Sequence, residues 1–414
     1  MKKITGGVTS AKGFAAASAA AGIKYENRTD MAMVFSKTPC AAAGTFTSNI
    51  VKAAPVLWDR EIVKSGAPVH AVIVNSGIAN AGTGKEGMEI CRKTAGFASG
   101  LMGIPEESVL IGSTGVIGMQ IPIDRIEHGI RILFPALSDS DEAGTAASKA
   151  IMTTDTVNKE SAYEIELPAA DGEGTVRATI GGMAKGSGMI HPNMCTMLSY
   201  VTTDAAIEKS LLQKAVSEIV SDTFNMISVD GDTSTNDTLL VLANGEAKNR
   251  IITAEDESYA VFYGALYTLL KELAMKLASD GEGATKLIES QVVHMDTVEN
   301  AKILAKSVIQ SSLVKAMVFG RDANCGRLLC ALGYAGPEFN PDTVEIRMIG
   351  KDGSEILFLS GGKVLPFDEE KALSILSEDK VTFVSDMKMG MASATAWGCD
   401  LTYDYVSINA DYRS

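Results

Sequence analysis

Residues 260–277 read AVFYGALYTLLKELAMKL, a helix-length stretch that is apolar on more than one side. A helix of that kind escapes water only when it is sandwiched, which demands a layered interior. Short β-prone runs supply the layers. Residues 69–74 (VHAVIV) end in Asn75-Ser76-Gly77 and read as a buried strand entering a turn. Residues 163–167 and 175–180 flank Asp171-Gly172-Glu173-Gly174, a hairpin signal. Residues 239–242 and 344–348 read as further strands. Ile207, Leu211, Leu212, Val216, Ile219, Val220 and Phe224 fall on one helical stripe, with Asp204 just ahead as an N-cap. Strands and helices therefore interleave, and a layered α+β or α/β sandwich is predicted.

Composition removes several function classes. The 414 residues include 37 Lys and Arg against 51 Asp and Glu, a net charge of −14 that argues against sequence-independent nucleic-acid binding. The start, Met1-Lys2-Lys3-Ile4-Thr5-Gly6-Gly7, has no apolar core of a signal peptide, and charges break every apolar run before membrane-spanning length. No membrane association is expected. Six scattered cysteines without a C-x-x-C pair read as free thiols of a cytoplasmic protein. His70, His128, His191 and His294 lie far apart in the chain, so no metal site is expected.

Common catalytic signatures fail. Gly84-Lys85, Gly350-Lys351 and Gly362-Lys363 lack the Ser or Thr of a P-loop, and no serine sits in G-x-S-x-G. Ser312-Leu313-Val314-Lys315 matches S-x-x-K without its accompanying elements. Three clusters remain. Residues 181–205 (GGMAKGSGMIHPNMCTMLSYVTTDA) form a Gly, Lys and Ser loop feeding Thr196 at the mouth of a β-prone run. Gly112-Ser113-Thr114-Gly115-Val116-Ile117-Gly118 lets backbone N–H groups and a hydroxyl converge, as an oxyanion hole requires. Residues 229–238 (VDGDTSTNDT) fail the calcium-loop spacing and read as a rigid hydrogen-bonded turn. Taken alone, each of the first two is more simply a Gly-rich turn beside a core strand.

Taken jointly they are more specific. The stretch M-A-K-G-S-G-M-I-H-P-N-M-x-T-M-L resembles the bifunctional ornithine acetyltransferase / glutamate N-acetyltransferase family of arginine biosynthesis. Similar stretches are Ala43-Gly44-Thr45-Phe46-Thr47, Asn75-Ser76-Gly77, Ser113-Thr114-Gly115-Val116-Ile117-Gly118, Thr153-Thr154-Asp155-Thr156 and Asp230-Gly231-Asp232-Thr233-Ser234-Thr235-Asn236-Asp237. Asp280-Gly281-Glu282-Gly283, Phe319-Gly320-Arg321-Asp322 and Trp397-Gly398-Cys399-Asp400 continue the resemblance, in order, to the end of the chain. Departures from the family's usual pattern are Cys195 for Ala, Gly82 for Cys and Cys325 for Trp.

The resemblance implies an αββα sandwich of the ornithine acetyltransferase / DmpA-like type and a precursor that cleaves itself between Cys195 and Thr196. Residues 1–195 and 196–414 would be the two fragments, together forming one intertwined fold plus a smaller C-terminal part, and associating as an α2β2 heterotetramer. Thr196 would be the nucleophile, taking acetyl from N-acetylornithine and passing it to glutamate, with its freed α-amine as general base. Thr114 and Gly115 match the family's oxyanion pair. Thr153, Lys185, Thr196, Glu282, Asn409 and Ser414 match its substrate-binding positions, with Thr154 nearly as good a match as Thr153. Charge suits Lys185 to a substrate carboxylate and Glu282 to an ammonium. No cofactor is implied, and acetyl-CoA stays open as a second donor. The rival reading is a related N-terminal-nucleophile amidase or aminopeptidase that gives the acyl group to water.

Overall fold

The computed structural model describes residues 1–191 and 197–410. The chain divides into two compact units. The first comprises Met1–Gly186, Pro192–Asn225 and Thr233–Ala274, and the second comprises Ser187–His191, Met226–Asp232 and Met275–Ser414.

A nine-stranded sheet organises the first unit. Its order runs Lys2–Ile4, Lys159–Pro168, Thr175–Lys185, Leu198–Thr203, Thr238–Ala243, Met31–Phe46, Val69–Asn75, Val109–Ser113, with Phe14–Ala19 added on Met31–Phe46. The 16-residue strand Met31–Phe46 is the hinge of the arrangement. Its first part pairs with Phe14–Ala19 and Val69–Asn75, its last part pairs with Thr238–Ala243, and its register shifts between Phe35 and Cys40. The sheet thereby folds into two layers that share one core. Val34, Val72, Val74 and Leu110 from one layer pack in the same buried cluster as Met183, Leu198, Tyr200, Leu240 and Leu242 from the other. The outer face of the first layer (Met31, Met33, Ala71, Ile73, Ile111) is covered by Cys91, Ala95 and Ala98 of helix Gly84–Met102 and by Ile126 and Ile130 of helix Ile123–Leu133. On the other layer Gly182 closes against Leu269 and Leu273 of helix Glu257–Ser279, where an added Cβ would lie 3.2–3.3 Å from both. This is the expected αββα sandwich.

Most predicted elements are present. The hairpin is Lys159–Pro168 with Thr175–Lys185, fully in register from Lys159↔Ala184 to Pro168↔Thr175. Helix Glu257–Ser279 buries one broad stripe, Phe262, Leu266, Leu269, Leu270, Leu273 and Leu277, while Tyr263 and Tyr267 are half-buried and Val261 and Gly264 exposed. Its opposite face is partly exposed, mainly in the first two turns, so the helix covers the sheet with one face rather than being sandwiched there. The predicted cap is also corrected. Helix Lys209–Asp222 starts at Glu208 without a side-chain cap. The Asp204 carboxylate instead accepts the N–H groups of Thr179 and Lys12, at 2.7 and 3.0 Å.

The second unit is built on a seven-stranded sheet in the order Lys363–Val364, Glu355–Ser360, Glu345–Ile349, Lys380–Asp386, Leu287–Met295, Ala392–Cys399, Ile227–Ser228. Trp397 is buried there and its indole N–H donates to Glu289 Oε2 at 2.7 Å. Among the described residues no single helix is long and apolar enough to cross a membrane.

One buried acid in the first unit gives a stability test. Asp59, on helix Ala54–Ser65, is fully buried; its Oδ1 accepts the Ile111 N–H at 2.8 Å and its Oδ2 has no partner. Burial pushes its carboxyl well above the ordinary range, and the Ile111 bond offsets only part of that. The fold therefore prefers the protonated acid. That preference is fully expressed below the unfolded-state value near 3.9 and is lost as pH rises through the folded value. Asp59→Asn keeps an acceptor for Ile111 and cannot ionise. Thermal unfolding should show it on the order of 1–3 kcal/mol more stable than wild type at pH 8, with the difference shrinking toward pH 4. A variant less stable at pH 8 than at pH 4, relative to wild type, would contradict this reading.

Candidate active site

Strand ends place the first half of the site. Val69–Asn75 and Val109–Ser113 run parallel, with Asn75 opposite Ser113, so the loops after them leave the same edge side by side. They are braced directly. Thr114 N–H donates to Asn75 O at 3.0 Å, Val116 N–H to Gly77 O at 3.1 Å, and Ser113 Oγ to Asn75 Oδ1 at 2.7 Å. Gly115 has φ +131, and a Cβ there would lie 2.2–2.7 Å from the backbone of Gly77 and Ile78, so no other residue fits. Gly112 serves a different need: its missing Cβ leaves room for the buried Tyr200 hydroxyl. The acidic and hydroxyl-rich turn clamps the same loops, because Asn236 Nδ2 donates to Ala79 O at 2.6 Å and to Ser113 O at 2.8 Å.

Lys185, the last residue of Thr175–Lys185, reaches this corner. Its ammonium donates to Thr153 Oγ1 at 2.9 Å and to Thr114 Oγ1 at 3.2 Å. Three of the predicted positions, from three separate segments, thus meet on one cation. Of the adjacent pair, Thr153 carries the hydroxyl that Lys185 holds. Arg28 fixes that segment by donating to the carbonyls of Met152 and Thr153, at 2.9 and 3.2 Å.

Beneath Lys185 lies a carboxylate to which the sequence assigned no role. Asp155 accepts Lys159 Nζ and the Gly186 N–H, each at 2.7 Å, and the Thr153 N–H at 3.1 Å, and it stands 3.9 Å from Lys185 Nζ. Burial alone would raise its pKa, but the ammonium groups of Lys185 and Lys159 outweigh that and hold it at about 2. Asp237 is a second buried carboxylate that senses Lys185. It is fully buried at the head of Thr238–Ala243 and accepts the Met197 N–H. Burial pushes its carboxyl well up, against the hydroxyls of Ser234 and Thr47 and the charge of Lys185.

The remaining predicted positions belong to the second unit or lie outside the described residues. Glu282 is buried and its Oε2 accepts Asn409 Nδ2 at 2.7 Å. Gly188 makes that possible, since a Cβ there would sit 2.3–2.4 Å from the Glu282 carboxyl. Helix Tyr403–Ala410, which carries Asn409, is tied down by Tyr405 donating to Asp230 at 3.3 Å. Lys315 of the rejected S-x-x-K match is buried and donates to Cys399 O, a structural role. Cys195, Thr196 and Ser414 lie outside the described residues. Among the described residues no group of His, Cys, Asp and Glu is arranged to hold a metal ion.

Known proteins resemble this chain along its length. The ArgJ family sequence profile matches residues 15–414. The Arginine biosynthesis bifunctional protein ArgJ of Symbiobacterium thermophilum is 48% identical over 416 residues, covering 100% of both chains. Arginine biosynthesis bifunctional protein ArgJ 1 of Clostridium acetobutylicum is 49% identical over 407 residues, covering 98% of this chain and 97% of its own. A crystal structure of Arginine biosynthesis bifunctional protein argJ from Bacillus halodurans shares 45% identity over 51% of this chain and 97% of its own, with a TM-score of 0.49. With relatives near half identity along its full length, the chain belongs to the ArgJ family.

Proposed function

We propose that this chain transfers the acetyl group of N2-acetyl-L-ornithine to L-glutamate, through an acetyl ester on Thr196. The observation that carries the reading is the convergence of Thr114, Thr153 and Lys185 beside Gly115. The Thr196 hydroxyl attacks the acetyl carbonyl while its own α-amine takes the hydroxyl proton. The Thr114 hydroxyl and the Gly115 N–H receive the charge that grows on the carbonyl oxygen. The C–N bond breaks, the amine's proton passes to the leaving nitrogen, and ornithine departs. The glutamate α-amine then attacks the ester by the reverse sequence, releasing N-acetyl-L-glutamate and restoring Thr196. In this reading Lys185 pairs with a substrate carboxylate and Glu282 with an ammonium, and Thr153, Asn409 and Ser414 are further substrate-binding positions. The scheme calls on no metal or cofactor, and acetyl-CoA is a candidate second donor.

The nucleophile's amine must first be freed. We therefore propose cleavage of the Cys195–Thr196 bond, giving fragments 1–195 and 196–414 that stay together as a heterodimer and pair into an α2β2 assembly in the cytoplasm. From the 43.5 kDa chain the fragments should run at roughly 20 and 23 kDa. The heavier should begin Thr-Met-Leu-Ser-Tyr on N-terminal sequencing. Thr196→Ala should stay uncut and inactive, and an intact yet fully active Thr196→Ala protein would overturn the mechanism. Release of ornithine should require glutamate. Release at the same rate without an acceptor would indicate a hydrolase. Acetyl-CoA offered in place of N-acetylornithine tests the second donor.

Thr114→Ala should lower kcat roughly 10²-fold with a much smaller change in donor KM, because the bond strengthens as charge develops. A pure KM defect would place Thr114 in ground-state binding. The pH profile separates the base from its neighbours. Activity should rise through an apparent pKa of about 7.7–8.0, that of an α-amine. Burial and the charge of Lys306 depress His191 to about 4, so it does not titrate there. Burial lowers Lys306 itself to about 8, inside the same window. Lys306→Met should therefore leave the rising limb in place, and its disappearance would assign the limb to Lys306.

A further inference from the structure

The charge network under Lys185 does more than neutralise a buried carboxylate. Asp155 and Lys159 have no exposed side-chain surface, and the Lys185 side chain is 9% exposed. Asp155 Oδ1 takes Lys159 Nζ and the Gly186 N–H, both at 2.7 Å. Asp155 Oδ2 takes the Thr153 N–H at 3.1 Å and faces Lys185 Nζ at 3.9 Å. One carboxylate therefore anchors the backbone of the residue after Lys185, the backbone of Thr153, and the Lys185 charge itself. Lys185 in turn donates to the Thr114 hydroxyl.

A threonine hydroxyl has one proton and two lone pairs. With a lone pair taken by an ammonium, the Thr114 O–H cannot point back at Lys185 and is polarised into a stronger donor. We propose that Asp155 is a positioning residue for acetyl transfer. Backed by Lys159, it holds Lys185 so that Thr114 accepts from the ammonium and directs its own O–H to the oxyanion. This deepens the acetyl-transfer reading above and rests on it. Among the described residues, Asp237 on the neighbouring strand head also senses Lys185, though burial pushes its carboxyl well up against that charge. Asp155 differs in gripping both flanking backbones as well as facing the ammonium.

The test is a double-mutant cycle between Asp155→Asn and Thr114→Ala, read as kcat and KM. Alone, Asp155→Asn should lower kcat about 10-fold or more, with donor KM changed less than about 3-fold. In the Thr114→Ala background the further loss should shrink to under about 3-fold, since the effect runs through Thr114. Full multiplication of the two losses, or a lowered Tm with unchanged kcat, overturns the proposal. Asp155→Asn strands the buried Lys159 ammonium. If it fails to fold, Asp155→Asn with Lys159→Met removes both charges and carries the same cycle. A second readout needs no substrate. Labelling of Lys185 by an amine-acylating reagent, followed by peptide mass spectrometry, should run at least about 5-fold faster in the folded Asp155 variant once the anchor is lost. Unchanged labelling overturns the positioning role even if transfer itself is not observed. A wild-type protein that makes no N-acetylglutamate overturns the acetyl-transfer reading, and labelling still decides the role of Asp155.

Discussion

The Asp155 carboxylate, buried between two ammonium groups, is the interaction on which the candidate site depends. Taking three charges out of water is expensive, and an apolar trio of similar volume would cost the fold less. The arrangement is sustained because every oxygen of Asp155 is engaged and its partners come from different parts of the chain. The same bonds make it specific. Thr153 and Gly186 are held through their backbones, so their positions do not depend on side-chain packing that a substrate would disturb. A low-dielectric setting also keeps the Lys185 charge strong where it meets the Thr114 hydroxyl.

Much of the scaffold was legible in the sequence because the signals are local. Residues 163–180 announce a hairpin through one Gly-rich turn between two β-prone runs, and the pairing follows from the turn. The run at residues 69–74 leads into Asn75-Ser76-Gly77, and that turn braces the loop carrying Thr114 and Gly115. Asp204 shows the limit. A helix cap was the local expectation, but two N–H groups from the Thr179 strand and the Lys12 turn claim the carboxylate. No short-range pattern encodes that competition.

The site was legible to the same degree. Thr114, Gly115, Thr153 and Lys185 came from motif resemblance, and the fold brings them to one corner. Lys159 came from nothing, since a single lysine opening a strand resembles any surface lysine until the sheet encloses it. Its i,i+4 spacing from Asp155 resembles a helical ion pair, yet the segment is a turn entering the strand Lys159–Pro168. Asp237 was read as part of a rigid turn. Its bond to Met197 ties that turn to the start of the central strand Leu198–Thr203, a link across 40 residues of sequence.

That central strand would stay in place if the backbone were cut ahead of it, as proposed above. Leu198–Thr203 is paired along one edge with Thr175–Lys185, antiparallel, and along the other with Thr238–Ala243, parallel. A cut ahead of Met197 would make it the first strand of a new fragment while leaving both ladders intact. Withdrawing it would break hydrogen bonds on two edges and expose Leu198, Tyr200 and Val201, all buried. Thr238 N–H to Met197 O, at 2.8 Å, and Met197 N–H to the Asp237 carboxylate fasten the residue just before it as well. The segment is thus held by noncovalent bonds that do not pass through the preceding peptide. The proposed cleavage would change the chemistry available ahead of the strand, an amide nitrogen becoming an amine, without asking the fold to be rebuilt.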